Sequence, residues 1–337
     1  MTLKLPGEPD FTRRRLLLQA VAASFASAAI SYPACALAQG FAPARPVRLI
    51  IPQPPGGAAD RLARLIADRL GARWKQPVVL DNKPGGGVVV GTLATVRSVP
   101  DGLTLALLGS SLSINAVQRK DLPYNTFKDL TPLVRVGYYT VALFAAASFP
   151  ANDVKGLIAL EKANPGKLSY GSNGIGTSAQ LAGEMLNHMT GVEIQHVPYN
   201  GAAKMYTDMV GGQIPLGFSV ASSAESFVKA GQLKILGVTS RQRSPLYPTW
   251  PAIAETLPGY EAVNWAGFVA PAGLPADLVT RISDDILAVL QAPDMAKAIA
   301  AMGIELAPQG PTEFETFIRD EVTRFSAVTK PLGSRMQ

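Results

Sequence analysis

The sequence predicts an α/β protein of two lobes, each built on a mixed or parallel sheet with flanking helices, joined by two hinge crossings. Three observations carry this. A β-loop-α pattern repeats three times in about 70 residues after Pro46. A second α/β series follows Lys167. Between and after these series, Tyr138–Ala147 and Glu261–Ala270 form apolar runs suited to leaving one lobe and returning to it. Repeated β-loop-α units argue for parallel strands with right-handed crossovers. Two lobes on two crossings make a hinged clamshell.

The chain has 337 residues, 47% hydrophobic and 17% charged, which fits packed domains rather than a disordered chain. The net charge of +6 is spread out, without a Lys/Arg block interleaved with aromatics, which argues against a nucleic-acid partner. Residues 1–38 have the pattern of a signal peptide: Arg13-Arg14-Arg15, an apolar run to Ile30, and a small-x-small site at Ala36-Leu37-Ala38. Thr12–Leu17 also resembles a twin-arginine signal, and a Sec signal fits equally. Cleavage after Ala38 removes Lys4, three arginines, Glu8 and Asp10, four positive and two negative charges, leaving +4. It also removes Cys35, the single cysteine, so the exported chain is thiol-free. A lipoprotein acylated at Cys35 is the rival, but Tyr32-Pro33-Ala34 is a poor lipobox.

Val47–Ile51 is β-branched and apolar, a buried strand. Pro52–Gly57 continues neither strand nor helix, and Leu62, Leu65, Ile66 and Leu70 then recur at helical spacing. The free N–H groups of such a loop and of the first helical turn favour an anion. Val78–Leu80 is a second strand, ending in the Gly85–Gly87 loop, with a helix over Val90–Val99. Leu103–Leu108 is a third strand, ending in the hydroxyls of Ser110–Ser113. All three loops fall on the C-terminal strand edge, where such sheets bind ligands.

The second series begins with a strand over Lys167–Tyr170, the loop Gly171–Ser178 and a helix over Ala179–Met189. A strand over Ile194–Val197 and a helix over Ala202–Val210 come next, then strands over Ile214–Phe218 and Leu233–Thr239. Ala276–Leu290 and Pro311–Thr329 are amphipathic helices. The resulting partition is 39–140 with 260–337 in lobe 1, and 141–259 in lobe 2.

Two glycine–hydroxyl loops facing each other suit a dicarboxylate, or a carboxylate with a polar tail. Asp60 falls in the first helical turn, where it complements the dipole or pairs with Arg64. No G-x-S-x-G elbow is present, and His188 and His196 are the only histidines. With no cysteine in the exported chain, they leave no metal-ligand cluster. No catalytic residue, metal or cofactor is expected.

These pieces resemble the tripartite tricarboxylate transporter substrate-binding proteins, the Bug family of periplasmic solute receptors. The resemblance rests on Arg45–Pro52 with Gly56–Asp60, Asp81–Gly85, Pro100–Leu105 and Leu122–Asn125. It continues through Pro165–Ser172, Val197–Gly201, Gly231–Lys234 and Ala270–Gly273, covering nearly all of the exported chain. It implies a type II periplasmic-binding fold closing on a small organic acid, with waters bridging one end of the ligand. By position, Pro54, Gly56, Gly57 and Asp60 form one jaw; Ser172, Gly176, Thr177, Ser178 and Tyr199 form the other; Ser110 and Ser219 add side-chain contacts. The implied partners are membrane transporter subunits or, alternatively, a sensor kinase, with the receptor itself a monomer. A cleft serine esterase using His196 is the enzymatic rival. Val88-Val89 and Ser219 depart from the family pattern, which has Gly-Asn and Asp there.

Overall fold

The computed structural model describes residues 40–332. The expected signal segment, Cys35 and the expected cleavage point after Ala38 lie outside the described residues.

The first sheet begins as the sequence implies. β1 (Val47–Ile51) buries every side chain except that of Arg48, which turns out to pair with Asp81. α1 (Ala58–Trp74) packs Leu62, Ala63, Ile66 and Leu70 onto one sheet face. β2 (Val78–Asn82), α2 (Val89–Val96), β3 (Thr104–Gly109) and α3 (Ser111–Gln118) complete the three β-loop-α units. β4 (Leu130–Tyr139) and β5 (Val141–Ala146) are separated only by Thr140. The apolar run at 138–147 is therefore the end of one sheet's strand and the whole of another's, with a one-residue crossing.

The second sheet contains β5, β6 (Ser169–Ser172), β7 (Gln195–Pro198), β8 (Leu216–Val220) and β9 (Leu233–Val238). Its helices are α4 (Val154–Ala163), α5 (Ser178–Thr190), α6 (Ala202–Val210) and α7 (Ala221–Lys229). Asp153 and Thr177 cap α4 and α5 through side-chain oxygens that accept the Gly156 and Gln180 N–H groups. The chain returns through Ala262, whose N–H bonds Thr239 O. It then enters β10 (Asn264–Pro271), α8 (Ala276–Leu290), α9 (Pro293–Ala300), β11 (Ile304–Gln309) and α10 (Pro311–Leu332).

Strand orders are β11-β4-β10-β3-β1-β2 and β7-β6-β8-β5-β9. β1 pairs in parallel with β2 and β3, and β6 with β7 and β8. β10 runs antiparallel to β3 and β4, and β5 to β8 and β9. Each sheet is mixed and carries apolar clusters built with its flanking helices. One small cluster joins the two lobes: Ile114 of α3, Leu181 of α5 and Phe325 of α10, all fully buried. Among the described residues no helix is long and apolar enough to cross a membrane.

The candidate ligand cleft

The parallel strands end at glycine-rich loops, and the Gly87 loop of one lobe lies against the Ile175 loop of the other. After β1, Pro54, Gly56 and Gly57 are exposed, and Gly56 has φ +82, a conformation side chains resist. Asp60 is buried beneath this loop. Its carboxylate accepts the Gly56 N–H (3.0 Å), Asn82 Nδ2 (3.0 Å), Arg64 Nε (2.9 Å) and Arg64 Nη2 (3.2 Å). Burial alone would raise its pKa, but these donors hold it below the usual carboxylate range. Four donors occupy both oxygens, so Asp60 braces the loop and has no lone pair aimed at a ligand.

After β2, Gly85, Gly86, Gly87 and Val88 all have positive φ. A β-branched residue at φ +74 is strained. Asn115 of α3 holds this loop, donating Nδ2 to Gly87 O at 2.6 Å. After β3, Ser110 serves the hinge. It is fully buried, donates to Val263 O (3.0 Å) and accepts the Trp265 N–H (3.1 Å), tying the return crossing to β3. The Ser110 hydroxyl, expected from sequence to add a ligand contact, has both of these bonds made to the crossing.

In the second lobe, hydroxyls build the loop that the backbone then offers. Ser172 Oγ bonds both the N–H and C=O of Gly174, and lies 2.7 Å from His196 Nε2. Thr177 Oγ1 donates to Gly174 O (2.7 Å), and Gln180 Oε1 accepts the Gly176 N–H (2.8 Å). At the start of α5 the N–H groups of Ser178 and Ala179 have no partner within the helix, whereas Thr177 takes that of Gln180. Open N–H groups at a helix start suit an anion. Ser219 is buried and donates to Asn173 Oδ1 at 3.2 Å, so it reaches the loop only through Asn173. Tyr199 turns its phenol away from the loop to Asp208 Oδ2 (3.0 Å), and only its N–H, bonded to Ser172 O, joins the jaw. The Ser219 and Tyr199 side chains, expected from sequence to touch the ligand, thus bond protein partners.

Burial pushes His196 down to about 4, so the imidazole is neutral. Its Ser172 partner is fully buried. The pair is a loop brace, and the buried hydroxyl is out of reach of an ester.

The lobes meet where Asn115 stands. A Cβ placed on Gly176 would lie 3.4 Å from Asn115 Oδ1, and one on Gly87 would lie 3.8 Å from Ile175 O. The glycines thus allow the second loop of one lobe to touch the first loop of the other. Asn115 carries this contact, and nothing local in the sequence of α3 singled it out.

Residues 62–334 match the family model described as the tripartite tricarboxylate transporter family receptor. The chain is 32% identical over 324 residues to protein BugT of Bordetella pertussis, covering 95% of this chain and 98% of that protein. It is similar to the Rhodopseudomonas palustris protein Rpa4515 solved with adipate, at 30% identity and TM-score 0.79, over 86% of this chain and 97% of that one. The periplasmic binding protein BugD is also similar, at 28% identity and TM-score 0.77, over 86% of this chain and 98% of that one. The chain therefore belongs to the tripartite tricarboxylate transporter receptor family, as a two-lobed periplasmic solute-binding protein of the Bug type and not an enzyme.

Proposed function

We propose that this receptor closes on a small organic carboxylate held between residues 39–140 with 260–337 and residues 141–259. It then presents the acid to the membrane subunits of a tripartite tricarboxylate-type transporter. It acts as a monomer, exported by its signal segment and cut after Ala38. The observation that carries the reading is that each sheet ends in a glycine loop opening a helix, Pro54–Gly57 ahead of α1 and Gly171–Thr177 ahead of α5, with the two lobes in contact at Gly87 and Ile175. Asp60 takes the Gly56 N–H, which leaves the Gly57 N–H and the first turn of α1 on one side and the first N–H groups of α5 on the other as donors to an anion, and neither side places a free carboxylate there. The similar protein Rpa4515 was solved with adipate, a diacid. Of the contacts expected from sequence, the proposal keeps Pro54, Gly56 and Gly57 in one jaw and Ser172, Gly176, Thr177 and Ser178 in the other. Asp60, Ser110, Tyr199 and Ser219 then act from behind them, through the loops they brace.

A thermal-shift screen of the chain from Gln39 onward against mono-, di- and tricarboxylates, amino acids and aromatic acids tests this. A ligand at 100 times its Kd stabilises a fold by about 2.7 kcal/mol, a shift of several degrees. Stabilisation by carboxylates alone supports the proposal. Stabilisation only by compounds lacking a carboxylate overturns it.

A further inference from the structure

Most arginines of the described chain are closed into ion pairs with aspartate or glutamate, including Arg48, Arg64, Arg73, Arg243 and Arg324. Arg119 is an exception in a telling place. It follows α3 directly, and its backbone N–H closes the helix on Asn115 O. A cation there ordinarily turns back onto the last helical carbonyls. Instead the guanidinium reaches sideways to the second glycine loop. A Cβ on Gly87 would meet Arg119 Nη2 at 3.6 Å, Ile175 O at 3.8 Å and Asn115 Oδ1 at 3.9 Å. The cation therefore stands at the meeting point of the two lobes, and no carboxylate of the described residues pairs with it. Gly87 leaves open the space beside it.

Electrostatics and geometry agree on what such a group takes. An unpaired guanidinium presents a planar fork that matches one carboxylate bidentately. The start of α5 already offers donors to another carboxylate across the cleft. Two anion seats on opposite lobes fit a ligand charged at both ends. Val90 and Ile175 are exposed beside the same two loops, apolar surface suited to the methylenes between two carboxylates.

We propose that Arg119 is the specificity-determining residue that fixes the second carboxylate of a diacid, making this receptor selective for aliphatic diacids over monoacids of equal length. The inference rests on the carboxylate reading above. Closure brings the fork and the α5 N-terminus onto one ligand, so a diacid bridges the lobes whereas a monoacid leaves Arg119 solvated.

Calorimetric titration of the chain from Gln39 with adipate and hexanoate, and with succinate and butyrate, tests it. Wild type, Arg119→Gln and Arg97→Gln are compared. Arg97 follows α2 at the end away from the glycine loops and controls for net charge. The expected result is that Arg119→Gln weakens the better diacid tenfold or more and changes its monoacid partner less than twofold, while Arg97→Gln leaves both within twofold. Equal losses for diacid and monoacid, or wild-type monoacid binding as tight as diacid binding, overturn this inference and leave the carboxylate reading standing. Wild-type binding of none of the four acids, together with a carboxylate-free hit in the thermal screen, overturns both.

Discussion

Two buried titratable groups pull stability in opposite directions with pH, and substituting one of them exposes the other. Glu321 of α10 is buried against the return crossing. Its Oε2 accepts the Trp265 indole N–H at 2.5 Å, its Oε1 has no hydrogen-bond partner, and Arg324 Nη2 is 3.9 Å away. Burial raises its pKa from 4.5 to about 7, despite Ser113, Trp265 and Arg324. Between those values the unfolded chain has lost the proton that the folded chain keeps, so stability falls as pH rises. At about 1.36 kcal/mol per pH unit the loss is about 3 kcal/mol by pH 7. His196 runs the other way. Burial lowers its pKa from 6.5 to about 4, so the unfolded chain takes up a proton first and stability falls as pH drops below 6.5. Its partial exposure trims the loss to about 2 kcal/mol. Between about pH 4.5 and 6.5 the two slopes nearly cancel. Urea unfolding of the chain from Gln39 at pH 5, 6 and 7 separates them. Glu321→Gln removes the falling arm, so its stability relative to wild type should climb by about 2 kcal/mol or more from pH 5 to pH 7. His196→Gln should show the opposite trend, losing about 1 kcal/mol relative to wild type over the same range, because only about half of the His196 titration falls there. Glu321→Gln and wild-type curves that stay parallel would refute the reasoning, because they would mean the Glu321 carboxyl titrates alike folded and unfolded.

Three further substitutions have definite outcomes. Ser219→Asp puts a carboxylate against Asn173 at the anion-binding jaw; adipate affinity should drop about tenfold by calorimetry through like-charge repulsion, and an unchanged affinity would contradict that placement. Gly183→Ala drives a methyl to 2.2 Å from the Tyr170 ring, which is tethered to Glu184 and Gln180; overpacking of this kind should cost about 3 kcal/mol and lower the melting temperature measurably. Val88→Gly relieves a left-handed β-branched residue, worth about 1–2 kcal/mol, against about 0.5–1 kcal/mol for glycine's extra freedom. The net expectation is a slightly higher urea midpoint, and a lower one would show that the Val88 side chain packs more than it strains.

What the sequence made legible follows from how local each signal was. β1, its loop and α1 were readable because burial on both sheet faces demands a β-branched run and the helix repeats leucine at its own period. α6 was readable to the residue because glycines bracket it. β11 was not: it is half-exposed, contains Pro308, and exists by pairing with β4 more than 160 residues earlier. α7 has two serines, weak helix formers, in its first turn, held in place by Ala221 and Ala224 packing inward. The same divide runs through the cleft. The glycine loops could be found from sequence because they work through backbone. The hydroxyls could not be assigned, because a serine bonds a ligand or a neighbouring loop with the same chemistry. Ser110 chose Val263, Tyr199 chose Asp208 and Ser219 chose Asn173, partners that only the fold supplies.

That division has a functional consequence. A jaw made of backbone N–H groups braced by buried side chains recognises a carboxylate but little else about the molecule carrying it. Asp60, Ser172 and Gln180 spend their polar atoms holding N–H groups or carbonyls of the loops in place, so substitutions there should weaken all ligands together. Discrimination between acids must then come from side chains at the jaw's edge that keep free donors and are not needed by either loop. Arg119 meets both conditions, since Asn115, not Arg119, fixes Gly87. A receptor arranged this way can change its ligand by exchanging one rim residue while leaving the braces and the hinge untouched.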